Sequence, residues 1–236
     1  MRLPGTPSIL LLAYVLVFLP WVVWRGARRF HEVADARALP SREAIWKQTI
    51  MALVVLLAFA AYVGHGFGFP FFVPPIGGVR DAVATAAAVG LLCALYVASI
   101  ACHSEEERGR LAVFRLAPRT RREWGLVYGA IAVGAVTEEV AYRGVVAAIL
   151  WHATGSLVVS VVLCATAFAL AHTVQGPKSV VAVFAIGLVL HGLVWVTGTL
   201  VFAMGVHAAY NVVVVHRVAR EAARRRLEPS CVEAVV

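Results

Sequence analysis

Residues 124–150 read WGLVYGAIAVGAVTEEVAYRGVVAAIL, an apolar stretch with Glu138, Glu139 and Arg143 in its second half. A segment this long and this apolar is typical of a helix that crosses a bilayer, which needs about 20 mostly apolar residues. Ionisable side chains at that depth cost free energy, so they face a protein interior or a cavity instead of lipid. The stretch therefore predicts a helix inside a membrane-embedded bundle.

The rest of the chain is equally poor in polar residues. Of its 236 residues, 61% are hydrophobic and 14% are charged, and the mean hydropathy is +0.83. A soluble domain is usually about 45–50% apolar and about 25% charged. The composition therefore excludes a soluble cytosolic enzyme, a disordered protein and a collagen-like fibre.

Seven segments are apolar enough to be spans. They cover residues 9–24, 49–69, 82–102, 124–150, 156–173, 179–195 and 199–215. The last two are separated only by Val196, Thr197 and Gly198, which predicts a tight turn between helices. The predicted fold is all-α, a polytopic transmembrane helical bundle of about seven spans, with eight as the alternative.

The cationic residues fall in alternate loops. They are Arg25, Arg28, Arg29, Arg37, Arg42 and Lys47; Arg108, Arg110, Arg115, Arg119, Arg121 and Arg122; Lys178; and Arg217, Arg220, Arg224, Arg225 and Arg226. The positive-inside rule then predicts an N-terminus outside and a C-terminus in the cytoplasm. The net charge of +8 is a topology signal with contact to membrane lipids, and we expect no nucleic-acid partner.

Two carboxylates in the fourth span differ in their expected surroundings. Glu139 and Arg143 are four residues apart, so they share a helix face and can pair. Glu138 is rotated by about 100° from Glu139 and is free of the arginine, which suits a general base or acid. The alternative for the Glu139–Arg143 pair is an ion pair that only locks helix packing.

Histidines and an asparagine occur in three later spans. Glu138 with His172 could deprotonate a water, and His207 with Asn211, one turn apart, could stabilise a developing oxyanion. That layout suits hydrolysis of an amide or ester. His191 is interpreted as a packing residue. The ligand types also suit zinc, but the HExxH spacing is absent, so zinc is left open.

Three short motifs resemble one family. Residues 137–144 (TEEVAYRG) resemble the EExxxR motif of the CPBP family, which contains the CAAX prenyl endopeptidases and the bacterial Abi-type proteins. Residues 168–172 (FALAH) resemble its FxxxH motif, and residues 207–211 (HAAYN) its HxxxN motif. The resemblance covers roughly residues 124–215, and the first three spans match only in being hydrophobic.

The resemblance implies a glutamic intramembrane endopeptidase that needs no metal. Its substrate would be a membrane-embedded or lipid-anchored protein. A bacterial-type member would lie in the inner membrane, and the myxosortase-like members process C-terminal sorting signals. Family members commonly carry a small residue where this chain has His191. The implied catalytic residues are Glu138, His172, His207 and Asn211, supported by Glu139, Arg143 and Phe168.

The expected organisation has three parts. Residues 1–123 would form N-terminal transmembrane helices and basic loops, residues 124–216 the catalytic core, and residues 217–236 a basic cytoplasmic tail. Two other functions are open from the sequence. One is a non-catalytic membrane interaction or immunity protein of the same family, and the other is a proton-coupled transporter or channel.

Overall fold

The computed structural model describes residues 5–32, 40–71, 73–75, 77–105, 107 and 111–227, and every regular element in those residues is helical. The predictions that concern Arg37, Arg108, Arg110 and residues 228–236 fall outside this described part of the chain.

Eight helices, which we label α1 to α8, form the described bundle. They are α1 (Thr6–Ala13, π-helical Tyr14–Phe18 and Leu19–Glu32), α2 (Arg42–Phe67), α3 (Val79–Ala101), α4 (Ala112–Arg115), α5 (Arg121–Glu138, π-helical Glu139–Val146 and Ala147–Thr154), α6 (Leu157–Leu170), α7 (Pro177–Thr197) and α8 (Leu200–Leu227). A 3₁₀ turn, Thr173–Gln175, precedes α7. A helix lies at each of the seven predicted spans, so the prediction of a polytopic helical bundle is confirmed.

Five stretches within these helices are long and apolar enough to cross a membrane. They are Thr6–Arg28, Arg42–Phe67, Val79–Ala101, Pro177–Thr197 and Leu200–Arg224. Helix α6 is apolar but shorter, and α5 carries the charged residues in its interior. Helix α8 continues to Leu227, so the first residues of the expected tail extend that helix.

Local sequence signals set the ends of α5. Thr120 and Glu123 form a capping box at its start, in which each side chain accepts a hydrogen bond from the other residue's backbone N–H. Gly155 ends the helix at a φ of 67°, in the left-handed conformation that glycine adopts at low cost. Ser156 then caps α6, so α5 and α6 are joined by a tight turn.

The predicted turn between the last two spans has the same form. Gly198 ends α7 at a φ of 69°, and α8 begins two residues later. Between them, Thr199 donates a hydrogen bond of 2.6 Å from its hydroxyl to the carbonyl of Val73. This bond joins the α7–α8 turn to the segment that follows α2.

Helix α5 lies at the centre of the bundle. Every residue of its π-helical part is buried, and the largest core cluster joins that part to side chains of α1, α2 and α6. A second cluster joins α3, α7 and α8. Helix α2 approaches α5 closely at Gly64, where an added Cβ would lie 2.7 Å from Val145 Cγ2. The ionisable residues of α5 therefore lie inside protein, as expected for charged side chains within an apolar helix.

Candidate active site

A buried ion pair lies in the π-helical part of α5. Arg143 Nη1 lies 3.2 Å from Glu139 Oε1, and both side chains are completely buried. The spacing of four residues predicts this pair, and the structure shows it. Short π-helical insertions are frequent at functional sites, and here the wider turn begins at Glu139.

His207 of α8 lies between the two glutamates. Its Nδ1 lies 2.8 Å from Glu139 Oε1, and its Nε2 lies 3.6 Å from Glu138 Oε2. The carboxylate of Glu139 can only accept, so Nδ1 carries the proton of that bond. A residue from another helix thus contacts both carboxylates.

The expectation that Glu138 would face a different neighbour from Glu139 needs a correction. Both side chains converge on His207. The physical reason is the π-helical turn, which is wider than an α-helical turn and reduces the angle between successive side chains. Glu138 is nevertheless distinct, because 19% of its side chain is exposed whereas Glu139 is fully buried.

Phe168 of α6 connects the helices that carry the motifs. The guanidinium carbon of Arg143 lies 4.1 Å from the centre of its ring. The ring also packs edge-on against His207, with ring centres 6.1 Å apart. On a third side it contacts His172, with ring centres 4.6 Å apart. The three motifs are therefore in contact around one buried aromatic ring.

His172 has a defined tautomer in its neutral form. Its Nδ1 lies 2.7 Å from the backbone carbonyl of Phe168, which can only accept a hydrogen bond. Nδ1 therefore carries the proton, and Nε2 keeps its lone pair. Such a ring can accept a proton from a water, the function expected of this residue. His172 contacts the ion-paired residues only through Phe168 in the described contacts.

Asn211 lies one turn after His207 on α8 and is partly buried. Its side chain forms no hydrogen bond within the described residues, so its amide has donor and acceptor capacity for another molecule. The sequence spacing places it on the His207 face of the helix.

Two further residues border this cluster, and motif spacing does not single them out. Tyr142 is buried, packs edge-on against Phe168 with ring centres 5.3 Å apart, and has a hydroxyl without a partner. His191 of α7 is 7% exposed, and its Nε2 also has no partner within the described chain. The sequence feature that could have pointed to Tyr142 is its position one turn after Glu138. The feature that could have pointed to His191 is its place as a polar residue in an otherwise apolar span.

The cluster contains histidine and carboxylate side chains, which are ligand types that zinc accepts. Within the part of the chain that the structure describes, no group of three or more His, Cys, Asp or Glu side chains could hold a metal ion. Both imidazole nitrogens of His207 already face carboxylates, so they do not point to a common free position.

Residues 120–213 match the family model described as Rce1-like, the type II CAAX prenyl endopeptidases. This match spans all three motifs and confirms the resemblance that they carry. The match points to a protease, and together with the apolar helices it indicates an integral membrane protein. Neither a curated protein nor a solved structure gives a significant match to the chain.

Proposed function

We propose that this Rce1-like chain is a glutamic intramembrane endopeptidase that cleaves a membrane-associated or lipid-modified protein. The observation that carries the proposal is the 3.6 Å approach of His207 Nε2 to Glu138 Oε2. It brings a partly exposed carboxylate next to an oriented imidazole, at a distance longer than a direct hydrogen bond. A water and the carbonyl of a peptide bond can be placed beside these two side chains.

The first step is activation of a water. Glu138 accepts one proton of the water, and His172, with its Nε2 lone pair, assists as a second base. The water oxygen then forms a bond to the carbonyl carbon of the scissile peptide. Exposure favours Glu138 over Glu139 for this task, because a fully buried and paired carboxylate has no access to a water that comes with the substrate.

The second step is stabilisation of the tetrahedral intermediate. His207 Nε2 and the amide of Asn211 donate hydrogen bonds to the oxyanion. For His207 to donate from Nε2 while Nδ1 stays bonded to Glu139, each ring nitrogen must carry a proton. The peptide C–N bond then breaks, and Glu138 returns its proton to the leaving amine.

Glu139, Arg143 and Phe168 position these groups. Glu139 holds the His207 ring through Nδ1, in the way that the acid of a catalytic triad orients its histidine. Arg143 offsets the charge of Glu139 in a site where an unpaired carboxylate would be costly. The Phe168 ring lies against Arg143, His172 and His207, and therefore sets the spacing of the three motifs.

The chemistry of the chain supports a class of substrate and a location. A protease inside a bilayer meets proteins that span it or are anchored to it, including prenylated ones. We further propose residence in the bacterial inner membrane with the C-terminus in the cytoplasm, which the clustered cationic loops support. Residues 124–216 would be the catalytic core in this arrangement.

A comparison of membrane protein termini tests the proposal. Cells that lack the chain are complemented with wild type, with Glu138→Gln, or with Glu43→Gln as a matched control. Glu43 is a carboxylate at a helix start that pairs with Arg122 at 3.2 Å, away from the cluster. New peptide termini are expected with wild type and Glu43→Gln and not with Glu138→Gln.

Cleavage that persists in Glu138→Gln would overturn the glutamic mechanism. A phenotype that Glu138→Gln rescues fully, with no changed termini in any strain, would instead favour a non-catalytic membrane interaction or immunity protein.

A further inference from the structure

A large cavity borders α5 from Arg143 to the end of that helix. Its volume is about 1030 Å³, at the upper end of ligand-binding pockets. Arg143, Gly144, Val161, Leu188 and His191 are among the residues that line it. Glu138, His172, His207 and Asn211 are not among them. The cavity is therefore distinct from the proposed position of the scissile peptide bond.

The mouth of the cavity has the character of a membrane interface. Trp151 near the end of α5 and Trp195 near the end of α7 line it, with ring centres 6.2 Å apart. Both rings are about half exposed. Tryptophan pairs of this kind mark the level of lipid headgroups. His191 lies one helical turn before Trp195, about 6 Å deeper.

Two buried polar groups without hydrogen-bond partners lie at the level of His191. His191 Nε2 and Arg143 Nη2 are both buried and have no hydrogen-bond partner in the described chain. An added Cβ on Gly187, one turn before His191 on the same face of α7, would lie 3.6 Å from Arg143 Nη2. The guanidinium of Arg143 therefore lies next to the face of α7 that carries His191.

We infer that this cavity binds a single-chain fatty acid, with its carboxylate at His191 and its acyl chain along the apolar wall. A neutral His191 ring with its proton on Nε2 donates the hydrogen bond that a buried carboxylate requires. The nearby positive charge of Arg143 favours a carboxylate over an uncharged headgroup such as an alcohol or an ester. The remaining walls are mostly apolar and suit the chain. Arg143 borders both sites, but Glu138, His172, His207 and Asn211 do not line the cavity, so binding of the acid and cleavage can fail independently.

Native mass spectrometry of the full-length protein in detergent tests the inference. Hexadecanoic acid, hexadecanol and methyl hexadecanoate are added in turn, and the bound fraction is measured over a concentration series. The acid is expected to bind at least about tenfold more tightly than the alcohol or the ester, the factor that a hydrogen bond to a charged group supplies.

Two variants locate the binding site. Gly192 lines the cavity and has open space around it, so Gly192→Leu fills the cavity and should abolish binding of the acid. Gly205→Leu is the matched control, because Gly205 is also a helical glycine with open space around it but lies on α8. His191→Leu should remove the preference for the acid and leave the three probes equal.

The inference is overturned if the acid binds no more tightly than the ester, or if Gly192→Leu binds the acid as wild type does. Equal binding of all three probes to wild type, lost in Gly192→Leu, would show an apolar chain site and overturn the role of His191. Size-exclusion profiles and thermal unfolding are measured in parallel to confirm that Gly192→Leu and Gly205→Leu are folded.

Discussion

The guanidinium carbon of Arg143 lies 4.1 Å from the centre of the Phe168 ring. This contact joins two motifs on different helices, and it buries a cation against the face of an aromatic ring. Such an interaction contributes about 2 kcal/mol or more when it is desolvated. It also fixes the plane of the guanidinium, which keeps Nη1 directed at Glu139.

Arg143→Lys should therefore reduce cleavage by about an order of magnitude or more, although the charge is retained. An ammonium group cannot reproduce the planar contact with Phe168 and the bond to Glu139 together. Cleavage rates of the purified variant in proteoliposomes measure the effect. Arg217→Lys is the control, because Arg217 lies 5.8 Å from the Tyr96 ring at the bundle surface. Equal rates for Arg143→Lys and wild type would remove the positioning role.

The two nitrogens of His207 can be tested separately. His207→Asn places an amide donor near the Nδ1 position and can keep the bond to Glu139, but it has no group at the Nε2 position. We expect a folded protein whose cleavage rate falls by about a hundredfold or more, the usual cost of a lost oxyanion donor. His207→Gln, whose amide extends farther, should retain more activity. If His207→Asn cleaves as well as wild type, Nε2 does not act in catalysis.

Glu139 and Glu138 should differ in their effect on stability. Glu139→Gln leaves Arg143 buried without its counter-charge, which costs about 3–5 kcal/mol. Glu138→Gln removes a partly exposed carboxylate without an ion pair to an arginine and should change stability far less. Thermal unfolding in detergent, followed by tryptophan fluorescence, compares the two variants.

A double variant separates stability from function at the same pair. Glu139→Leu combined with Arg143→Met replaces a buried ion pair by apolar side chains of similar size, a change that is often neutral or stabilising. Its melting temperature should recover to near that of wild type, and cleavage should stay absent. A double variant as unstable as Glu139→Gln would show that the pair does more than balance buried charge.

The start of α5 predicts a dependence of stability on pH. Burial alone would raise the pKa of Glu123, but the backbone N–H groups of Arg119 and Thr120, with the guanidinium of Arg42, hold its pKa below the usual range. Because the pKa is lower in the folded state, the stabilisation is complete above the unfolded value of 4.5. It is lost as the pH falls through the folded value.

Melting temperatures measured between about pH 7 and pH 3 check this prediction. Wild type should lose stability below about pH 4.5 more steeply than Glu123→Gln, which lacks the titrating group. Parallel curves for the two proteins would contradict it. Glu43→Gln again serves as the control, because Glu43 is a more exposed carboxylate that pairs with Arg122.

The sequence predicts much of this molecule because most of its signals are local. Apolar segments locate the helices, Gly198 marks the last turn, and a spacing of four residues predicts the Glu139–Arg143 pair. The approach of His207 to both glutamates is not predicted, because it depends on how α8 packs against α5. The cavity beside His191 is missed for the same reason, since its walls come from several helices.

The π-helical part of α5, Glu139–Val146, has a consequence for how the two ends of that helix are aligned. Each backbone bond there spans five residues where an α-helix spans four, so a wide turn holds one residue more than a normal turn. The faces of Arg121–Glu138 and Ala147–Thr154 are therefore out of phase with a continuous α-helical repeat. Loss of a single residue from this stretch could convert a π-helical turn to an α-helical turn, and Glu138 and Glu139 would then project at the wider angle of an α-helix. The number of residues between Glu138 and Trp151 is thus a requirement on this protein in addition to the identity of its charged side chains.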